Sequence, residues 1–98
     1  MVRQVSATTD AHARHVAPVG EVARAVGESV RWHRRAAEIT QEQLGAEIGV
    51  SASSIIRLEQ GARAASIEEV IAIAVVIGVP LRALLDRLDA ETQRVLEL

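Results

Sequence analysis

The stretch Thr40–Gly61, TQEQLGAEIGVSASSIIRLEQG, holds the residues best suited to chemistry. Ser51, Ser53 and Ser54 offer short hydroxyls, Gln41 an amide, and Arg57 a planar guanidinium. No histidine stands near the serines to act as a base, so they do not make a nucleophile. What this set can do is donate hydrogen bonds to anionic oxygens and to polar edges. A helix that opens on small residues, Ser51-Ala52-Ser53-Ser54, can bring its backbone close to a bulky surface.

The supporting elements follow from pattern. Val22, Val26, Val30, His33 and Ala37 recur at helical spacing and predict a first helix over 21–37. Thr40 with Gln43 is a capping box that starts a second helix to about Ile48, and Gly49 is its left-handed stop. Ser51 caps a third helix over about 52–60, ended by Gly61. Ser66 with Glu69 opens a fourth to Ile77, stopped by Gly78. Pro80 suits the first turn of a fifth, to about Leu88, and residues 90–98 have room for a short sixth. Leu44, Ile48, Val50, Ile55 and Leu58 tie the second and third helices into one corner, with Gly45 as a point of close approach.

Composition sets the bounds. The 98 residues are 49% hydrophobic with one Trp and no Phe or Tyr, so an aliphatic core of helix on helix is expected. Length allows one domain. With no cysteine there is no disulfide or thiol chemistry, and His12, His15 and His33 are too scattered for a metal site. Neither a signal peptide nor a membrane-length apolar run is evident, which leads to the expectation of a cytoplasmic protein without a cofactor. Net charge is −2, yet all 11 basic residues are Arg, and Arg31, Arg34, Arg35, Arg57 and Arg63 cluster mid-chain while acids load the last third. Any polyanion-binding face therefore lies in the middle.

Thr40-Gln41-Glu42-Gln43-Leu44, Ile48-Gly49-Val50-Ser51, Ile55, Leu58-Glu59-Gln60-Gly61, Ile73-Ala74 and Gly78-Val79-Pro80-Leu81 together resemble the XRE family, the Cro/cI-type helix-turn-helix proteins. The resemblance spans about residues 24–87. It implies an all-α, lambda-repressor-like five-helix domain, whose third helix enters a DNA major groove. It divides the chain into a flexible arm over 1–19, a DNA-binding domain over 20–88, and a helical extension over 89–98. Arg3 and Arg14 of the arm are placed to touch a DNA backbone or minor groove, although plain disorder is the simpler reading.

Carried over residue by residue, the resemblance gives DNA contacts to Gln41, Ser51, Ala52, Ser53, Ser54, Ile56, Arg57 and Arg63, and an orienting ion pair to Arg34 and Glu59. Ala52 and Ile56 depart from the family's long polar residues. They offer only apolar contact, as to a thymine methyl, which shifts specificity toward DNA shape; for Ile56, partial burial at the helix junction is the equal alternative. With few arginines available, salt dependence should be modest. Arg31 and Arg35 stand open between phosphate contact and a solvated face; Trp32 points away from the apolar face, toward the arm, an interface or solvent.

The fourth helix is hydrophobic nearly all round, which calls for burial on more than one side. Val70, Ile71, Ile73, Ala74 and Ile77 are assigned to the core, leaving Ala72, Val75 and Val76, with Leu84, Leu85, Leu88, Val95, Leu96 and Leu98, for a homodimer contact. A C-terminal tail folded over that helix is the monomeric alternative. The function expected is a bacterial or phage repressor that occupies a pseudo-palindromic operator on double-stranded DNA as a dimer. An antitoxin with a toxin partner, and a helical adaptor that has lost DNA binding, are the competing readings. No catalytic constellation points to an enzyme.

Overall fold

The computed structural model describes residues 17–98. Most of the expected arm, with Arg3, His12, Arg14 and His15, lies outside the described residues. Helix α1 spans Val19–Ala36, α2 Gln41–Ile48, α3 Ala52–Glu59 and α4 Ile67–Ile77; a 3-10 helix covers Leu81–Leu85, and α5 covers Ala90–Val95. The described residues contain no strand.

The helix boundaries sit where the side chains can satisfy the first N–H groups. Thr40 Oγ1 accepts from the Gln43 N–H at 3.0 Å while Gln43 Oε1 accepts from the Thr40 N–H at 2.9 Å. Ser66 and Glu69 repeat this at the start of α4. Ser51 caps α3 by accepting from the Ser54 N–H at 3.1 Å. Gly49 closes α2 with φ +85°, a conformation that penalises any side chain.

One core joins the elements: Val26 and Val30 from α1, Leu44 from α2, Ile55 and Leu58 from α3, Val70, Ile73 and Ala74 from α4, and Leu84 from the 3-10 helix. Two glycines let backbones meet. A Cβ on Gly45 would lie 2.5 Å from the Val50 carbonyl oxygen. Its space is therefore taken by the turn itself, not by the crossing of the next helix. The close crossing is made by Gly27, where a Cβ would lie 2.3 Å from the Leu58 oxygen and 2.9 Å from the Glu59 oxygen.

Three expectations need correction. The fifth element is a five-residue 3-10 helix instead of an α-helix to Leu88. Ser29, fully buried on α1, packs against this element, its hydroxyl 2.8 Å from both the Ala83 carbonyl oxygen and Asp86 Oδ1. Leu84 and Leu88, assigned to a dimer contact, are 0% and 9% exposed and belong inside the protomer. Ile71, assigned to the core, is 50% exposed instead. Val76 is partly buried against the core, which narrows its availability to a partner.

Gly27→Ala should destabilise the fold by about 2–3 kcal/mol, because the added methyl meets backbone oxygens that cannot swing aside. A urea titration monitored by circular dichroism measures this; a change near zero would mean that α1 and α3 are not in such close contact.

Candidate nucleic-acid interface

Helix α3 presents two chemically different sides. Ile55, Leu58 and Glu59 face inward and are buried. Ser53, Ile56, Arg57 and Gln60 are exposed at a spacing that places them along one outer stripe. Arg57 has no ion-pair partner among the described residues. Ile56 is 37% exposed, so it reaches the outer surface while more than half of it is covered. Ala52 and Ser54 are half-buried at the first turn, and Ser51 is exposed as the cap.

The orientation of that stripe is set from behind. Glu59 Oε2 accepts from Arg34 Nε at 2.6 Å and Oε1 from Arg34 Nη2 at 3.1 Å. Gln41 Nε2 donates to the same Oε1 at 3.0 Å, and Arg34 Nη1 donates to the Ile39 carbonyl at 2.8 Å. The two charged side chains are 10% and 2% exposed. This places together the pair expected from the sequence and adds Gln41 as a third member. Gln41 keeps one amide N–H beyond the Glu59 bond, at the rim of a groove lined by Arg31, Arg34, Arg35, Gln41, Ile56, Glu59 and Gln60.

Arg63 requires a correction. Expected at a DNA backbone, it is spent inside the protein: Nε donates to the Ser54 carbonyl at 3.1 Å, Nη1 to the Ala64 carbonyl at 3.2 Å and to Glu69 Oε1 at 2.9 Å, and Nη2 to Glu69 Oε2 at 3.0 Å. Its hydrogen bond, opposed by burial and aided by the Ser66 N–H, holds the Glu69 carboxyl below the usual glutamate range. Arg63 therefore clamps α3 to α4.

Sequence reading missed Ser29 and the contact beside it, where His33 Nε2 lies 3.3 Å from Asp86 Oδ2. A signal was present: Ser29 follows Val26 by three residues, on the face that should be apolar. Gly27, in mid-helix, was a similar sign of close packing. Trp32 is 56% exposed, with its ring edge-on to His33. No group of His, Asp and Glu among the described residues is arranged to hold a metal ion, and no described helix is long and apolar enough to cross a membrane.

A buried pair that aims a short helix, a capped turn before it and a polar outer stripe on it define a DNA-binding transcriptional regulator of helix-turn-helix design. The family model HTH_3, helix-turn-helix, matches residues 30–84, and the chain belongs to this XRE-type helix-turn-helix family. Among solved structures, the restriction-modification controller protein C.AhdI from Aeromonas hydrophila is 26% identical, with a TM-score of 0.59 over 62% of this chain and 92% of its own. The clp gene regulator ClgR from Corynebacterium glutamicum is 22% identical, with a TM-score of 0.65 over 72% of this chain and 90% of its own, and shares the fold. No curated protein matches the chain.

Because Glu69 is more acidic in the folded state, its contribution is complete above the ordinary glutamate range and is lost as pH falls through its depressed folded value. The stability advantage of wild type over Glu69→Gln, measured by urea unfolding from neutral pH downward, should shrink below about pH 4.5. An advantage that does not change with pH would remove the charged pair as its source.

Proposed function

We propose that this chain is a sequence-specific repressor that binds a pseudo-palindromic operator as a homodimer, with α3 in the major groove. The observation that carries the reading is the outer stripe of α3: Ser53, Ile56, Arg57 and Gln60 exposed together on a helix fixed from within by Arg34 and Glu59. In this reading Arg57 reaches a guanine edge or a phosphate, Ser53 bonds either, and Ile56 and Ala52 contact thymine methyls. Ser51, Ser54 and the remaining Gln41 N–H serve the sugar-phosphate backbone. Arg63 is left out of the contact set because four of its five N–H donors already have partners within the protein.

The dimer rests on α4. Ile67, Ile71 and Val75 are 63%, 50% and 75% exposed and follow one another every four residues, an apolar ridge on the side away from the core. Ala72 and Val76 flank it, and Val95 and Leu96 are further exposed apolar residues at the C-terminal end. A two-fold axis along such a ridge presents two recognition helices to successive turns of one DNA face.

Fluorescence anisotropy with a duplex from the gene's own upstream region and a scrambled duplex, at one salt concentration, tests the reading head. Wild type should prefer the native duplex by at least tenfold, and a still-folded Arg57→Ala should lose most of that preference. Equal binding of both duplexes would reject autoregulation, and failure to bind any duplex would reject the function. Sedimentation equilibrium tests the ridge: wild type should be dimeric and Val75→Glu monomeric, with weaker operator binding. A monomeric wild type would reject the ridge as a dimer contact.

A further inference from the structure

We propose that Arg31 and Arg35 of α1 form a second phosphate-binding site, holding the DNA strand that flanks the major groove occupied by α3. The inference rests on the reading of α3 as the DNA-reading helix. A protein of net charge −2 must concentrate positive charge where a polyanion is to lie. Of the mid-chain arginines, Arg34 is committed to Glu59 and Arg63 to Glu69. On α3 itself this leaves Arg57 alone, too little to neutralise a backbone.

Arg31 and Arg35 fill that gap by position. They are four residues apart on α1, therefore on one side of it, and both are exposed with no ion-pair partner among the described residues. They border the same groove as Gln41 and Ile56, so the site is continuous with the outer surface of α3. Two like charges four apart on a helix repel, and a bound anion relieves that repulsion. The groove suits a phosphate strand in its chemistry: its lining combines the Arg31 and Arg35 guanidinium groups with the Gln41 and Gln60 amides and the apolar Ile56, and its one carboxylate, Glu59, is already neutralised by Arg34. Neither arginine reads a base in this arrangement, so the pair contributes affinity without sequence preference.

The test is the salt dependence of binding of the full chain to the scrambled duplex, which needs no knowledge of the operator, by anisotropy across a salt series. Each phosphate neutralised adds about 0.9 to the slope of log K against log salt. The double variant Arg31→Gln/Arg35→Gln should therefore lose about 1.8 from the slope per bound protomer, about 3.6 for the dimer. It should weaken native and scrambled duplexes by the same factor, while Arg31→Lys/Arg35→Lys keeps the slope. Circular dichroism melts verify that each variant is folded. An unchanged slope in the Gln variant, with Arg57→Ala still abolishing preference for the native duplex, would overturn this site and leave the reading of α3 standing; an acidic protein partner would then be the occupant to seek. Wild type binding neither duplex would overturn both.

Discussion

The Glu59 carboxylate is the point on which the structure turns. It lies at the end of α3, is 2% exposed, and accepts hydrogen bonds from Arg34 on α1 and Gln41 on α2. Burying a carboxylate and a guanidinium together is costly, and an apolar pair of similar volume is often as stable. What an apolar pair lacks is direction. Three donors converging on two oxygens fix the rotation of α3 about its own axis, and that rotation decides which side chains face outward. Removing either partner would strand a buried charge at about 3–5 kcal/mol, a large share of the stability of a domain this size. Gly27 makes the pair reachable, since only a residue without a Cβ lets α1 come against the Leu58 and Glu59 carbonyls.

This use of arginine inside the protein has a consequence outside it. A count of mid-chain arginines suggests a strongly basic face, but Arg34 and Arg63 are engaged by glutamates, and the charge left for a ligand resides on Arg31, Arg35 and Arg57. The free charges come from two helices, and the groove between them is bordered by Gln41 and Ile56. In the proposed complex, affinity and specificity fall to separate residues, the α1 arginines carrying the first and the α3 stripe the second.

How much of this could be read from sequence depended on whether the signal was local. The capping boxes at Thr40 and Ser66 and the stops at Gly49 and Gly78 lie within a few residues of the groups they satisfy, and those boundaries match the structure closely. The core positions of α2 and α3 were legible for the same reason, and the Arg34 and Glu59 pair through the family resemblance. Leucine spacing carried no such information: Leu84 and Leu88 sit at helical spacing, but both are buried, and the segment that carries them is anchored at the Ala83 carbonyl by Ser29 from over 50 residues earlier, a contact no local pattern announces. Arg63 was misread because Glu69 was already assigned to its cap. A carboxylate has two oxygens and several lone pairs, and Glu69 serves both Ser66 and Arg63. The error on Ile71 came from a helix so apolar that its pattern no longer distinguishes one face from another.

That double service gives Glu69 a role in geometry at longer range. Arg63 holds the Ser54 carbonyl in the first turn of α3 and the Glu69 side chain in the first turn of α4 with one planar group. The reading helix and the apolar ridge of Ile67, Ile71 and Val75 are thus joined by a rigid fork as well as by the core beneath them. In a two-fold dimer built on that ridge, the separation and tilt of the two α3 helices are set by this connection and reproduced on the other side of the axis. A small rotation at Arg63 would be doubled across the dimer, whereas half-sites on DNA are spaced by a helical repeat that the protein cannot alter at low cost. An arginine with four of its five N–H donors occupied within the protein would serve recognition in that dimer by fixing geometry, not by reaching for a phosphate.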